Sequence, residues 1–252
     1  MKTIAVVNQK GGVGKTTTAI NVAVYIARSG KNVLLVDLDP QGNATSGLGI
    51  DKYESDKSIY DVLVNDTSPD IVRHTTIEKN LHVTTSNHNL SGAEVDLVSI
   101  ARREYRLSTA LSAIESEYDI CIIDCPPSLG LLSINGLVAA DYVLIPVQTE
   151  YYAMEGIGQL VQTIQRIQQT LNPTLSIVGV VMTMYDTRTS LSSQVRAEIE
   201  RVFGDLVCKT VIPRNVRLAE APSHGKSIAT YDKWSKGARS YKSLAKEVMQ
   251  RV

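Results

Sequence analysis

The strongest constraint on the fold comes from a glycine-rich segment near the start of the chain, residues 10–17 (KGGVGKTT). A short apolar run, residues 3–8, leads straight into this segment, and apolar residues at helical spacing follow it over 17–29. A strand, a glycine-rich turn and a helix in this order place backbone N–H groups and the positive end of the helix dipole around an anion. The segment therefore predicts a phosphate-binding loop.

The loop departs from the ordinary G-x-x-x-x-G-K-[ST] pattern at two positions. Gln9 stands where the pattern has its first glycine, and a second cation, Lys10, lies among the glycines. In a loop of this kind Lys15 reaches the β- and γ-phosphates of a nucleotide, and the Thr16 hydroxyl coordinates Mg²⁺. The alternative is a glycine-rich turn with exposed lysines. The predicted nucleotide-binding residues of the loop are Lys10, Gly11, Gly12, Val13, Gly14, Lys15, Thr16 and Thr17.

Strand-like and helix-like patterns alternate along the rest of the chain. Strands that alternate with helices indicate parallel neighbours joined by crossovers. We therefore expect an α/β fold with a doubly wound, mainly parallel sheet flanked by helices, forming a single P-loop ATPase domain over residues 1–252. The segment 39–80 is expected to be a long loop with a short helix near 58–64. Further strands are predicted at 32–38, 81–85, 119–124, 142–147 and 176–183, and helices at 103–117, 131–140, 153–171, 190–203 and 238–252.

An aspartate ends the predicted strand 119–124 (DICIID), at the edge where ligands of such sheets bind. Two prolines follow Cys125, which prevents the strand from continuing. This is a Walker B position, and Asp124 is expected to hold a water in the shell of Mg²⁺, while residues 126–131 form a loop that can sense the γ-phosphate. The alternative role for Asp124 is a cap at the strand end.

A second aspartate, Asp39, follows the predicted strand 32–38 in the stretch DLDPQGN. A carboxylate there lies beside the phosphate loop and can orient or deprotonate an attacking water. Asp37 sits within the strand and is the weaker candidate. The alternative for Asp39 is a turn residue before Pro40. The candidate catalytic residues are Lys10, Lys15 and Asp39, and the candidate metal-binding residues are Thr16, Asp39 and Asp124.

The overall charge balance is neutral but uneven. The 252 residues hold 26 basic and 26 acidic side chains, yet residues 186–252 hold 13 basic and 7 acidic ones. This excess indicates either a basic surface near the C-terminus or an ordinary solvated helix face. Three cysteines without C-x-x-C spacing, and no apolar stretch long enough to cross a bilayer, favour a soluble cytoplasmic protein.

Three motifs together, KGGVGKTT, DLDPQGN and IIDCPP, resemble the deviant Walker A ATPases, and more closely the ParA/Soj-type DNA-partition ATPases. The resemblance continues through residues 91–94 (SGAE), 148–156 (QTEYYAMEG) and 211–225 (VIPRNVRLAEAPSHG), so it covers essentially the whole chain. These longer signatures are more specific than the phosphate loop alone.

The resemblance implies a role for the extra lysine. In that family the lysine matching Lys10 reaches across a subunit interface to the phosphates of ATP held by the other protomer, so that ATP with Mg²⁺ is sandwiched in a homodimer. Pro213, Arg214 and Asn215 are then expected near the adenine, with the Asn215 amide as a base contact.

The resemblance also implies that the ATP dimer binds double-stranded DNA without sequence preference and associates with the nucleoid. Arg188 and Arg217 match positions with this role. Lys226, Lys233, Lys236 and Arg239 either extend the patch or are solvated surface. Trp234 either stacks on nucleic acid or anchors the C-terminal segment to the core. A ParB-type partner is expected to stimulate slow ATP hydrolysis, which resets the dimer to monomer.

Two other functions remain open at this stage. A MinD-like membrane-associated ATPase needs a detachable amphipathic C-terminal helix, whereas residues 241–252 carry few large aliphatic groups and favour a docked helix. A metabolic P-loop enzyme is either a ligase, for which no substrate motif is visible, or an iron–sulfur reductase. Cys121 in its strand and Cys208, expected near the surface, do not suit such a cluster. The first strand begins so early that we expect no preceding helix-turn-helix domain.

Overall fold

The structure is a computed structural model that describes residues 1–53, 56–150 and 153–252, without the side chains of 153–155. Its described residues form a seven-stranded sheet with helices on both faces. The strands are β1 (Lys2–Val6), β2 (Val33–Asp37), β3 (Arg73–Thr75), β4 (Leu81–Thr84), β5 (Ile120–Asp124), β6 (Tyr142–Gln148) and β7 (Ser176–Thr183).

The α-helices alternate with the strands through most of the chain. Short turns of 3₁₀-helix lie among them at His88–Gly92, Leu97–Ser99, Arg103–Tyr105, Gly204–Leu206 and Ala221–His224. The α-helices are α1 (Lys15–Arg28), α2 (Asn43–Gly47), α3 (Ile59–Val64), α4 (Pro69–Val72), α5 (Ala93–Asp96), α6 (Arg106–Ser112), α7 (Leu131–Ala139), α8 (Ala153–Thr170), α9 (Ser190–Phe203), α10 (Val216–Glu220), α11 (Ile228–Tyr231) and α12 (Lys236–Met249).

The strand order is β3-β4-β2-β5-β1-β6-β7, and every neighbouring pair is parallel except β3 with β4. The predicted doubly wound, mainly parallel α/β fold is therefore confirmed. The order changes direction around β1, so the segments that leave β1 and β5 diverge to form a crevice at the carboxyl edge, where such sheets bind ligands.

Each face of the sheet carries its own hydrophobic core, because side chains alternate along a strand. In β5, Cys121 and Ile123 point into one core, and Ile120 and Ile122 point into the other. Helices α3, α6, α7, α8 and α9 cover the first core, and α1, α11 and α12 cover the second. Strands buried on both faces explain the almost uninterrupted apolar runs in the sequence.

The irregular segment 39–80 is more ordered than expected. The predicted short helix near 58–64 is confirmed as α3. It starts with a capping box in which the Ser58 side chain accepts a hydrogen bond from a backbone N–H and the Asp61 carboxylate accepts one from the Ser58 N–H. The prediction of a long loop around it is wrong, because α2, α4 and the edge strand β3 also lie within 39–80.

Other observed helix boundaries differ from the predicted ones by a few residues. The predicted helix 103–117 is a turn of 3₁₀-helix followed by α6, and the last helix runs over Lys236–Met249 instead of 238–252. Cys208 is fully buried, so its expected place near the surface is wrong, and all three cysteines are free. Among the described helices, none combines the length and the apolar composition needed to cross a bilayer.

A buried carboxylate ties the C-terminal segment to the first helix. Glu78, which is 7% exposed, receives two bonds from Arg28 at 2.6 and 2.8 Å and a further bond from Thr230 at 2.5 Å. Burial opposes the charge of Glu78, but the bonds from Arg28 and Thr230 outweigh it and lower the pKa of the carboxyl group. This contact fixes α11 against α1.

We expect Glu78→Gln to lower the free energy of unfolding by about 1 kcal/mol at neutral pH, because the charge-assisted bonds to a half-exposed arginine are weakened. A carboxyl group whose pKa is lowered on folding stabilises the fold at pH values above its usual pKa of about 4.3. This stabilisation is lost as the pH falls through the folded-state pKa. Urea unfolding should therefore show a difference in unfolding free energy between the parent protein and Glu78→Gln that becomes smaller at acidic pH. The exposed Glu115→Gln serves as control. A difference that widens in acid would contradict the assignment.

Candidate nucleotide site

The register of three parallel strands assembles the site. Asp124 at the end of β5 lies opposite Val6 of β1 on one side and Asp37 of β2 on the other. The chain leaving β1 turns into the glycine loop and then into α1, while the chain leaving β2 carries Asp39. The predicted loop and both predicted carboxylates therefore meet at one edge of the sheet.

The conformation of the loop depends on two glycines with a left-handed backbone and on two hydrogen bonds that involve neighbouring strands. Gly12 and Gly14 have φ of 77° and 84°, a left-handed backbone that side chains disfavour, and Gly14 immediately precedes α1. The Thr183 hydroxyl donates to the Val13 carbonyl at 2.8 Å, and the Asn8 amide donates to the Pro146 carbonyl at 2.7 Å. Thr183 had not been predicted as a site residue. Its position at the end of a predicted strand could have indicated it, because ligands of such sheets bind at the carboxyl ends of the strands.

Lys15 is buried inside the loop. Its Nζ donates to the Lys10 carbonyl at 3.1 Å, and the side chain is 7% exposed. Burial lowers the pKa of the Lys15 ammonium, while the carboxylates of Asp124 and Asp39 act in the opposite direction. The lysine is thus already positioned at the centre of the loop.

Lys10 points elsewhere. Its Nζ forms an ion pair with Glu150 Oε2 at 2.7 Å, and both side chains remain about half exposed. The Gln148 amide donates to the other oxygen of Glu150. The two lysines of the loop therefore have different environments, because Lys15 is buried inside the loop and Lys10 is at the surface of the protein. Residues 151–152 of the signature 148–156 lie outside the described residues.

Asp124 is the least compensated charge in the described part of the chain. It is fully buried, and neither carboxylate oxygen has a hydrogen-bond partner there. Burial raises its pKa well above the usual value, the carboxylates of Asp37 and Asp39 add to this, and the nearby Thr16 hydroxyl and Lys15 act against it. A buried carboxylate of this kind fits a role in which bound cation and water complete its bonding.

Asp37 and Asp39 have separate tasks. Asp37 accepts bonds from the Thr45 backbone at 2.8 Å and the Thr45 hydroxyl at 2.7 Å, so it holds the start of α2. Burial raises the pKa of Asp37 to about 6 although these bonds lower it. Asp39 Oδ1 accepts the Gln41 N–H at 2.9 Å, which is the turn contact that the alternative interpretation expects. The residue is nevertheless placed beside the glycine loop.

A cleft of about 380 Å³ continues from the loop. Gly14 and Thr17 line one side, and Pro213, Arg214 and Asn215 line the other, so the structure brings the predicted adenine-contacting residues next to the phosphate loop. Asn215 Oδ1 accepts the Arg217 N–H at 2.9 Å and caps α10. Only the amide nitrogen of Asn215 is therefore suited to contact a base. Met184 and Tyr241 also line the cleft, and no sequence signal indicated them.

The residues also fit a magnesium ion bound together with phosphate. Thr16 lies in the first turn of α1, near the carboxylate of Asp124, which has no hydrogen-bond partner among the described residues. Within the described ranges, no three His, Cys, Asp or Glu side chains are arranged as a metal cage. The donor set of one hydroxyl and nearby carboxylates is complete only with phosphate oxygens and water, which is how Mg²⁺ is usually bound in nucleotide sites.

The predicted DNA-binding arginines lie outside the nucleotide cleft. Arg188 is 85% exposed and forms a bidentate ion pair with Asp186 at 2.7 and 2.9 Å, which holds the pKa of that carboxyl well below its usual range. Arg217 is 55% exposed and pairs with Glu220 at 2.8 Å. Exposed pairs of this kind contribute little to stability, so both cations can exchange partners.

Two hollows of the surface carry several basic side chains, and Arg188 lines one of them. One, the Arg188 cleft, has a volume of about 590 Å³ and is lined by Arg188, Arg214, Lys236 and Arg239. The other, the Trp234 groove, has a similar volume and is lined by Arg28, Lys233, Trp234, Lys242 and Lys246. Trp234 is 78% exposed, so the alternative in which it anchors the C-terminal segment to the core is wrong. Arg28, Lys242 and Lys246, which line this groove, had not been predicted as part of a basic surface.

Comparison with known proteins identifies relatives of the whole chain. Residues 1–177 match the family described as AAA domain. The chain is 57% identical to the sporulation initiation inhibitor protein Soj of Bacillus subtilis, over 98% of both chains. It is 50% identical to the chromosome-partitioning ATPase Soj of Treponema pallidum, over 99% of this chain and 98% of the relative. A solved structure of cobyrinic acid a,c-diamide synthase from Mycobacterium smegmatis, with bound ATP analog and magnesium, is similar with a TM-score of 0.87 and 39% identity, covering 99% of this chain and 95% of that one.

We expect Asp124→Asn to stabilise the ligand-free protein. A carboxyl group whose pKa is raised on folding costs stability once the pH exceeds its unfolded-state value of about 4, and the cost grows as the pH rises. The gain from the substitution should therefore increase between pH 5 and pH 8, by about 1 kcal/mol or more. Thermal unfolding across this range measures it, with the exposed Asp205→Asn as control. A gain that shrinks with rising pH would show that Asp124 is compensated in the fold.

Proposed function

The chain belongs to the Soj/ParA family of chromosome-partitioning ATPases, and from this premise we propose that it hydrolyses ATP with Mg²⁺ and uses the nucleotide to control its binding to DNA. The observation that carries the proposal is the buried site at the carboxyl edge of the sheet, where Lys15 and the unpartnered Asp124 face one glycine loop. The single sheet with a core on each face supports treating residues 1–252 as one ATPase domain.

The roles proposed for the site residues follow from their positions. The backbone N–H groups of residues 11–17 hold the phosphates, together with Lys15. Bound Mg²⁺ offsets charge that develops on the transferred phosphoryl group. Thr16, Asp39 and Asp124 would hold this ion, and Asp39 would also orient the attacking water. Pro213, Arg214 and the Asn215 amide receive the base in the cleft next to the loop.

Lys10 has a different proposed role, because its ammonium is turned away from its own loop. It is bound to Glu150 at the surface of the subunit, where it can exchange this carboxylate for the phosphates of ATP held by a second copy. Two copies arranged about a two-fold axis would each donate one Lys10. Loss of the γ-phosphate would leave cations crowded at one interface, so hydrolysis would favour the monomer.

The Arg188 cleft, the Trp234 groove and Arg217 form the proposed DNA-binding surface. Their cations include Arg188, Lys233 and Lys236, and the exposed Trp234 adds an aromatic face. Nonspecific DNA affinity depends on how many phosphates are neutralised locally, so a neutral chain can bind DNA strongly when a dimer doubles the contacts. Release by a ParB-type partner that stimulates slow hydrolysis, and association with the nucleoid, complete the proposed cycle.

Two observations weigh against the other functions. The apolar face of α12 is buried against α1 through Tyr241, Leu244 and Val248, whereas a membrane-associated ATPase would need that face to be available. The synthase with 39% identity keeps an ATP-dependent ligase as a second candidate. The relative with 50% identity over the full length is named a chromosome-partitioning ATPase, and the relative with 57% identity shares the name Soj with it.

The test is DNA binding measured with ATP, with ADP and without nucleotide across a salt series. We expect strong binding with ATP only, and a steep fall in affinity as salt increases. Arg188→Ala and Arg217→Ala should each reduce the salt slope by about two per dimer, because each removes one phosphate contact from each subunit. Arg201→Ala, which removes an exposed arginine paired with Glu198 on α9, is the control. Equal affinity in all three nucleotide states would rule out the proposed switch.

A further inference from the structure

We propose that Glu94 is a positioning residue for hydrolysis, which holds the loop between Asp124 and α7 in register with Asp39. This rests on the proposed ATPase function. Glu94 lies in α5, outside the glycine loop, and does not line the cleft.

The contact is between the Glu94 carboxylate and Gly130, the residue that precedes α7. The carboxylate fills the space that a side chain on residue 130 would occupy. A Cβ built there would lie 2.7 Å from Glu94 Cδ and 3.0 Å from Oε2, and closest of all to Oε1. Any side chain at position 130 would therefore have to displace Glu94.

The backbone of Gly130 does not itself require glycine. Its φ of −78° and ψ of −170° are in the extended region that L-residues adopt freely. Glycine is therefore needed here for space and not for conformation. The missing side chain at position 130 leaves room for the carboxylate of Glu94, which belongs to a distant segment of the chain.

The carboxylate also lies next to the residue that precedes α7. The first N–H groups of a helix lack partners within it, and Gly130 has no side chain to cap them. A negative charge near a helix N-terminus is favourable. Oε1 of Glu94 is nevertheless buried without a hydrogen-bond partner in the described part of the chain. A buried oxygen without a partner is uncommon in a native fold, which points to a role beyond stability.

The segment that carries Glu94 is fixed at its other end to the Asp39 loop. The Ser86 hydroxyl donates to the Asp39 carbonyl at 2.7 Å, and the Ser86 N–H donates to the Thr45 hydroxyl at 3.0 Å. Leu90 and Ala93, between Ser86 and Glu94, are fully buried. One packed segment therefore contacts both carboxylate-bearing loops of the site, and Glu94 transmits the position of one loop to the other.

The test is a double-mutant cycle on the full chain with Glu94→Ala, Gly130→Ala and both together. The added methyl group displaces a flexible side chain, so Gly130→Ala should act mainly by moving Glu94. Each single variant should lower kcat for ATP hydrolysis about tenfold, at the low end of what outer-shell partners contribute, and leave KM for ATP nearly unchanged. The double variant should be no slower than either single one. Gly158→Ala in α8, where a Cβ meets nothing within 4 Å, is the control.

Additive losses in kcat, no loss at all, or a rise in KM as the main effect would each overturn the positioning role. The contact itself has a readout that does not depend on hydrolysis. The loss of unfolding free energy caused by Gly130→Ala should be smaller in the Glu94→Ala background, because the clash is absent there. An equal loss in both backgrounds would overturn the contact. An inactive parent protein would instead count against the proposed ATPase function.

Discussion

The site depends on one constraint, the parallel register that places the ends of β1, β2 and β5 side by side. Asp124 lies opposite both Val6 and Asp37, so the glycine loop and two acidic segments leave the sheet at neighbouring points. Parallel strands need crossovers, and those crossovers bury the sheet on both faces. The charged groups at this edge are consequently surrounded by two apolar cores, which strengthens every electrostatic effect among them.

The two lysines of the glycine loop have opposite environments. Lys15 is buried among carboxylates and fits a role in its own subunit, whereas Lys10 is held at the surface by Glu150. Among the described residues, the buried carboxylate of Asp124 has no hydrogen-bond partner, and Glu94 keeps an unpaired oxygen beside Gly130. Unpaired buried charge is costly to a fold and is most readily explained where a ligand or a moving loop completes it. The stability of the empty site and its activity should therefore respond in opposite directions to the loss of Asp124.

Local patterns in the sequence predicted the fold class, the glycine loop and both carboxylates, because motif spacing and strand ends are readable over a few residues. Contacts between segments that lie far apart in the sequence could not be predicted from such local patterns. Lys10 meets Glu150 across 140 positions and Thr183 meets Val13 across 170, and neither partner has a distinctive local pattern. The short helix α2 was missed because Asp37 and its bonds to Thr45 hold it, not helix propensity. The burial of Cys208 likewise depends on tertiary packing.

In the proposed dimer, Lys10 leaves Glu150 and binds the triphosphate of a second subunit. Sedimentation of the protein with a nonhydrolysable ATP analogue and Mg²⁺ measures this exchange through the oligomeric state. We expect the parent protein to dimerise, Lys10→Ala to bind the analogue but stay monomeric, and Glu150→Gln to dimerise at a lower protein concentration because the competing carboxylate is gone. A Lys10→Ala protein that dimerises as readily as the parent would contradict the proposed exchange.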